Sequence, residues 1–216
     1  MINKFLYIFI IILTSSILLA KKDIEAKKVN NSKSSNLYVF IAEKIEIKHV
    51  IVTPTKKGVF LMDSKFKAKY KVIKNIHNII NGKVVEFIAY DHYGIPAFSK
   101  YKYVLLYLIK EDGKFYHSKY QYSPLFKTKN NKWASFYSSD YSHPYNCNTK
   151  IKPVKINFKE NLSIDITKYS KEIIKRFYPK PYFKIKGNKA YPKYGNYIKE
   201  LFQLKKDGVL KARGYF

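Results

Sequence analysis

The feature that most restricts the fold of this chain is a series of short segments in which apolar and polar residues alternate. The most regular segment is KFKAKYKVI, residues 65–73. Its apolar positions are Phe66, Ala68, Tyr70 and Val72, and its charged positions are Lys65, Lys67, Lys69 and Lys71. A period of two is typical of a half-buried β-strand. The segment therefore predicts a strand with one face in a core and a ladder of lysines in solvent.

Comparable segments follow one another over residues 37–137, separated by turn signals such as Asn81-Gly82. YVLLYLI, residues 103–109, is apolar on both faces, as expected of a strand at the centre of a core. Six or seven short strands without a long helix predict a small antiparallel barrel or sandwich. The other expected strands are residues 37–50, 84–90 and 114–122, and a hairpin around Asn130-Asn131 anchored by Trp133.

Two strands carry a detail that matters for candidate sites. Glu43 interrupts the apolar face of the first strand; a bulge at Ala42-Glu43 would turn its carboxylate outward, and a functional carboxylate is the alternative. In residues 114–122, alternation is expected to place Tyr116, Tyr120 and Tyr122 on one side.

The order of the first four strands resembles the layout of netrin-like modules, the OB-type barrels also found in tissue inhibitors of metalloproteases. The residues concerned lie in 37–110 and read LYVFIAEKIEI, KFKAKYKVIKNI, VVEFIAYDHYG and YKYVLLYLI. The resemblance implies an OB-like barrel. Those modules normally contain disulfides, and the inhibitors use an N-terminal cysteine. This chain has the single cysteine Cys147, so no inhibitory residue is carried over. As a whole, the chain resembles an exported bacterial protein.

The N-terminus has the pattern of a targeting segment. Residues 1–20, MINKFLYIFIIILTSSILLA, contain Lys4 followed by an uncharged apolar run, which predicts a signal peptide cleaved after Ala20. The run is shorter than the ~20 residues of a spanning helix. The alternative is an uncleaved segment, because Leu18 suits the cleavage site poorly. In that case residues 1–20 would anchor the chain in the membrane. Export to the periplasm or the medium is expected, with residues 21–36 as a flexible tether.

Residues 138–216 are predicted to form a loop followed by a basic helical region. Asp165 is expected to cap a helix in ITKYSKEIIKRFY, and a second helix is expected over residues 196–206, ending at Gly208. Residues 209–212 are expected to return as a short strand. The apolar stripe of the first helix would be Ile166, Tyr169, Ile173 and Phe177.

The formal net charge of +27 indicates attraction to polyanions. An alternative is codon bias, since Lys, Asn, Ile and Tyr, which AT-rich codons encode, are abundant. The charge is densest near the C-terminus, where residues 150–216 hold 18 basic and five acidic residues.

The sequence lacks the common catalytic and metal-binding motifs. It contains no HExxH, Walker glycine loop, GxGxxG or GxSxG, and its five histidines show no i, i+4 pairing. No metal or cofactor is therefore expected, and the lone thiol of Cys147 is interpreted as structural.

One polar cluster remains, in AYDHYGIPAFSKY, residues 89–101. Asp91 and His92 lie at a strand end, where His92 could meet His117. The favoured interpretation is a turn, because an aspartate can bind backbone two residues on and Gly94 accepts a positive φ. Ligand contact and catalysis are the alternatives.

The sequence therefore favours an exported, non-catalytic binding or interaction module for an anionic polymer or an envelope protein. OB-like surfaces bind nucleic acid and oligosaccharide, but export makes nucleic acid the less favoured ligand. The alternative is a secreted hydrolase or toxin-like enzyme that uses Asp91, His92 and His117. The candidate binding residues are Lys67, Lys69, Lys71, Tyr93, Tyr116 and Tyr120.

Overall fold

A computed structural model of the chain describes residues 21, 36–52, 61–138, 141, 143–146 and 149–216. The predicted signal peptide, most of the predicted tether and Cys147 lie outside the described residues. Strands make up 47% of the structure and helical segments 18%. The prediction of a mainly β protein is therefore confirmed.

Five long strands form a closed ring: β1 Leu37–Val50, β2 Ser64–His77, β3 Val84–Asp91, β4 Tyr103–Glu111 and β5 Lys114–Pro124. Their order is β1-β2-β3-β5-β4, with β4 pairing back onto β1. Four of the five pairings are antiparallel, as expected. The exception is β3 with β5, which run parallel where Ile88 faces Tyr116.

The interior of the ring is an aromatic and aliphatic core. On β2, the side chains of Phe66, Ala68 and Tyr70 are buried while Lys67 and Lys71 are exposed, so the predicted alternation is confirmed. A short 3-10 helix, Ala97–Lys100, connects β3 to β4 and places the buried ring of Phe98 among the inward side chains. The Phe98 ring centroid lies 5.9 Å from that of Tyr70.

The outer face of β1 and β4 is also buried, because the C-terminal segment covers it. Leu37, Val39 and Leu105 pack there with Leu201 and Leu210 in a second core cluster. This double burial explains why residues 103–109 are apolar on both faces.

Bulges interrupt the strand pairing of the ring. Between β1 and β2 the register shifts between Val39 and Phe40, between Ile41 and Ala42, and between Lys44 and Glu46. Ala42 and Glu43 pair in step with β2, so the predicted bulge at Ala42-Glu43 is wrong, and the extra residue of β1 is Ile45. As a result Ile45, which simple alternation places inside, is 50% exposed. In β5, Leu106 faces Tyr122 and Leu108 faces His117, so residues 118–121 lie opposite Tyr107 alone. We call residues 118–121 the β5 bulge.

The remaining strands form two small sheets. The first contains β6 Phe126–Lys127, β7 Trp133–Phe136, β8 Val154–Lys155 and β12 Tyr194–Tyr197, in the order β6-β7-β12-β8. It therefore joins strands of the predicted β region, residues 37–137, to strands of the C-terminal region. The second contains β9 Ile164–Asp165, β10 Phe183–Lys186 and β11 Lys189–Pro192, in the order β10-β11-β9.

Two α-helices lie in the C-terminal third, α1 Lys171–Phe177 and α2 Ile198–Lys205. A further 3-10 helix spans Pro144–Asn146. After α2, a π-helical turn over Lys206–Leu210 continues the helical path, with non-helical dihedral angles at Gly208. The predicted strand at residues 209–212 is therefore wrong. These residues stay helical, and Val209 and Leu210 pack into the outer core cluster.

The predicted start of the first helix is also wrong. Asp165 lies in β9, and its carboxylate accepts hydrogen bonds from the backbone N–H and the hydroxyl of Thr167 at 2.8 and 2.6 Å. The residue that caps the helix lies five positions later: the Ser170 hydroxyl accepts from the N–H of Ile173. The Asp165 carboxylate thus stabilises a local turn and does not cap the helix. Of the expected stripe, Ile166 is buried before the helix, while Tyr169, Ile173 and Phe177 are exposed.

Removing the hydroxyl of Tyr70 is expected to stabilise the fold. The Tyr70 side chain is fully buried, and within the described residues its hydroxyl has no hydrogen-bond partner. An unpaired buried hydroxyl loses its hydration without compensation, so Tyr70→Phe should raise the unfolding free energy by about 1 kcal/mol. Chemical denaturation of both proteins measures this, and a loss of stability in the variant would show that the hydroxyl is satisfied.

Candidate functional site

The lysines of β2 form an exposed row that neighbouring carboxylates partly neutralise. Lys69 lies between Glu46 on β1 and Glu86 on β3, and its Nζ is 3.2 Å from Glu86 Oε1. Lys71 faces Glu43 on β1. Lys67 faces Lys48 on one side and Ile88 on the other. Of the predicted binding lysines, Lys67 therefore has the least negative surroundings.

A groove of about 460 Å³ adjoins this row. Lys67 and Lys69 line it together with Phe87 and Ile88 of β3, and with the turn between β4 and β5 at Gly113 and beyond. Because Glu46 and Glu86 also line it, the groove at the β2–β3 face combines lysines, carboxylates and apolar surface.

The predicted tyrosines do not form one surface. Tyr93 is 85% exposed and Tyr120 is 45% exposed, and their ring centroids are 6.2 Å apart. Tyr120 has a positive φ of 67° in the β5 bulge. Tyr116 lies before that bulge, half-buried at the parallel pairing with Ile88. The bulge thus breaks the alternation that was expected to align the tyrosines of β5.

Asp91 has the geometry of a turn residue. Its carboxylate accepts a hydrogen bond from the N–H of Tyr93 at 2.9 Å, and Gly94 follows with φ of +103°. This is the arrangement that the turn interpretation predicts, since the aspartate binds backbone two residues on. The carboxylate is mostly buried. Asp91 is thereby committed to the local backbone.

His92 and His117 contact different residues. The Nδ1 of His92 lies 2.8 Å from the carbonyl oxygen of Met62 and 3.7 Å from a carboxylate oxygen of Asp63. The Nε2 of His117 lies 2.9 Å from the carbonyl oxygen of Gln121, and its ring packs 4.5 Å from that of Phe98. Each histidine thus uses a ring N–H to hold a backbone carbonyl, and the contacts supply no shared acid–base pair.

The environment of His117 disfavours its charged form. Burial lowers the pKa of His117 to about 4, and the nearby cations Arg213 and Lys205 act in the same direction, while the hydrogen bond to Gln121 opposes them. The imidazole is therefore neutral near neutral pH.

The β5 bulge is a docking point for the C-terminal segment. The guanidinium of Arg213 donates to the Ser118 hydroxyl and to the Lys119 carbonyl, both at 3.1 Å. The buried Lys205 ammonium donates to the Gln121 side chain at 3.2 Å. These contacts attach the C-terminal helical segment to the ring.

A second basic surface lies away from β2 and was not among the predicted site residues. Two adjoining hollows of about 320 and 240 Å³ share Asn161, Tyr191 and Lys193. We call them together the basic groove. Its six lysines, all exposed, are Lys129, Lys155, Lys159, Lys184, Lys186 and Lys193.

Backbone hydrogen bonds hold the walls of the basic groove. The N–H of Lys129 donates to the carbonyl of Asn157 at 2.9 Å, and the N–H of Ile156 donates to the carbonyl of Lys193 at 2.9 Å. A third bond, from Lys159 to the Lys127 carbonyl, is 2.8 Å long. Three chain segments distant in sequence are thus fastened around one surface.

The basic groove has little negative charge of its own. Glu160 is the one carboxylate among the lining residues, and none of the six lysines forms an ion pair with a carboxylate of the described chain. The sequence signals were the charge density of residues 150–216 and the alternation of Lys184 and Lys186 with buried or half-buried neighbours. Neither signal shows that the three segments meet.

Two further findings concern other kinds of site. In the described part of the chain, no group of three or more histidine, cysteine, aspartate or glutamate side chains is arranged to hold a metal ion. The helices described there are all too short or too polar to cross a membrane.

The structure thus defines a mainly β protein with a five-stranded ring, two small sheets and an exposed basic groove. Comparisons with protein-family models, with curated proteins and with solved structures find no match for this chain.

Proposed function

We propose that the protein is an exported, non-catalytic module that binds anionic polymers. The observation that carries this proposal is the uncompensated positive surface. The chain has 42 lysines and arginines against 15 acidic residues. Within the described residues, ion pairs with carboxylates involve Lys48, Lys69, Lys102 and Lys119. Most cations of the described residues therefore remain available to an external polyanion.

The topology supports an OB-like assignment for the ring. OB-folds are five-stranded Greek-key barrels that bind oligomers on the strand 2–3 face and at the loops after strands 1 and 4. Here the ring has five strands, and the groove beside Lys67 lies on the β2–β3 face next to the β4–β5 turn. Export rests on the signal-peptide pattern of residues 1–20.

The enzyme alternative is less well supported by the geometry. A secreted hydrolase would need Asp91, His92 and His117 to act on a common substrate. Asp91 caps a turn, and each histidine holds a backbone carbonyl. His92→Ala should therefore leave polyanion binding unchanged, whereas loss of a hydrolytic activity by orders of magnitude would establish the enzyme.

Retention on immobilised heparin and DNA tests the proposed function. We expect elution of the protein well above about 0.15 M salt, because many lysines contribute and each released counterion adds to the salt dependence. The variant Lys67→Gln, Lys69→Gln, Lys71→Gln should elute earlier by a modest margin, since Glu46, Glu86 and Glu43 already offset the ladder.

Elution of the unaltered protein near physiological salt would contradict polyanion binding. The positive charge would then reflect codon bias, and an envelope protein would be the partner to isolate. If the unaltered protein and the triple variant elute at the same high salt concentration, β2 is not part of the binding surface.

A further inference from the structure

We infer that the basic groove is the principal binding site and that its ligand is a linear acidic polysaccharide carrying sulfate or carboxylate groups. This inference rests on the proposed function and adds the location and the ligand class.

Charge favours the basic groove over the lysine row of β2. Six lysines surround the groove with Glu160 as the one lining carboxylate. The β2 row instead faces Glu43, Glu46 and Glu86 in register. Charges within a Debye length of ~8 Å of one another act together on a ligand. The carboxylates beside β2 cancel part of the charge of its lysines, so the stronger positive potential lies at the basic groove.

The arrangement of the lysines suits an extended polymer. The groove consists of two adjoining hollows, and lysines line both of them. Lys184 and Lys186 lie two residues apart on β10, which places their Cα atoms about 7 Å apart along the strand. Repeated anionic groups along one polymer chain can meet such a series of cations, whereas a single small anion would use few of them.

The lining chemistry favours a polysaccharide over a nucleic acid. Proteins that bind single-stranded nucleic acid without sequence preference stack bases on exposed aromatic rings. The aromatic residues of the groove, Tyr191 and Phe158, are half-buried, and the highly exposed Tyr93 lies on the ring. The amides of Asn157 and Asn161 line the groove and can donate to and accept from sugar hydroxyls.

The side chains also indicate the kind of anion. All six cations are lysines, whose ammonium groups act as point charges without the planar, two-pronged geometry of arginine. Such a set of lysines recognises spaced sulfates or carboxylates by charge. It recognises the neutral sugar groups between these anions by hydrogen bonds.

The test is a titration of the protein, purified after expression of its full sequence, with a heparin-derived oligosaccharide at several salt concentrations. The groove variant carries Lys159→Gln, Lys184→Gln and Lys193→Gln. The control variant carries Lys168→Gln, Lys171→Gln and Lys175→Gln, which removes the same charge from exposed positions of the same region outside the groove. Circular dichroism should show that both variants keep the fold.

We expect the groove variant to bind heparin oligosaccharide at least about 10-fold more weakly at physiological salt, and the slope of log K against log salt to fall by about 2. The control variant should lose less than about 3-fold, because long-range attraction is screened. A thymidine oligonucleotide of equal charge should bind more weakly than the glycan.

The outcomes separate the two proposals. If the unaltered protein binds neither heparin nor DNA, the proposed function fails. If it binds but the groove and control variants weaken equally, the groove is not the site. The same holds if only the variant Lys67→Gln, Lys69→Gln, Lys71→Gln weakens. In both cases the inference is overturned while the proposed function stands. If the oligonucleotide binds more tightly than the oligosaccharide, the ligand class is wrong.

Discussion

Gly195→Ala is expected to destabilise the protein by about 3 kcal/mol or more. Gly195 lies in β12, opposite Phe136 of β7. A Cβ atom at this position would lie 1.8 Å from the Ser135 carbonyl oxygen and 2.8 Å from the Phe136 Cα. Both neighbours are backbone atoms of a paired strand, so they cannot turn aside as a side chain would. The two strands would have to separate, which costs their pairing and the packing behind them.

The consequences of this change should extend beyond one pair of residues. The next residue, Asn196, is buried, accepts a hydrogen bond from the Tyr141 hydroxyl and donates to the Lys152 carbonyl at 3.0 Å. Displacing β12 removes these bonds and moves the start of α2, which follows directly at Ile198.

Chemical denaturation monitored by circular dichroism measures the effect of Gly195→Ala. Gly187→Ala is the matched control, because Gly187 has a positive φ of 52° but no atom within 4 Å of an added Cβ. It should cost only about 1 kcal/mol, the strain of a left-handed alanine. Similar stability losses in the two variants would show that β7 and β12 can separate at Gly195 with little loss of stability.

Stability is expected to fall by about 2–3 kcal/mol as pH drops from neutral towards 4, because of His117 alone. The pKa of this histidine is lowered to about 4 in the folded protein, chiefly by burial. In the unfolded chain a histidine titrates near 6.5. Between these values the unfolded state binds more protons, so the contribution is complete above pH ~6.5 and is lost as pH falls through the folded pKa.

Comparison of the unaltered protein with His117→Gln isolates this contribution from other titrating groups. The unfolding free energy of the variant should depend less on pH between about 4 and about 6.5. An identical pH profile for the unaltered protein and His117→Gln would contradict the neutral state of His117 in the folded protein.

Local sequence patterns determined most of the β structure. Alternation over residues 65–73 predicted the inward and outward faces of β2. This feature depends on neighbours within a few residues, where the period of a strand is directly visible in the order of side chains. The second helix was predictable for the same reason, because its apolar residues recur at helical spacing. The helical dihedral angles are interrupted at Gly208.

The pattern failed where distant segments compete with local preference. Asp165 was expected to cap a helix, yet residue 165 pairs with Lys189 in the β9–β11 sheet. Tyr120 was expected beside Tyr116, yet the β5 bulge intervenes and is held by Arg213, 95 residues away from Ser118. Periodicity carries no information about such distant partners. A prediction from periodicity therefore continues a strand or a helix past the residue at which a distant partner interrupts the element.

The sequence by itself determined the sign of the surface charge, the strand character of the ring and the absence of common catalytic motifs. Only the tertiary structure decided which cations share a site. Register places Glu46 and Glu86 beside Lys69 and so weakens the predicted lysine row. Backbone bonds between residues 127–129, 156–159 and 193 instead assemble the basic groove. The reason is physical: electrostatic potential depends on distance in space, and spacing along the chain reports that distance only within one strand or helix.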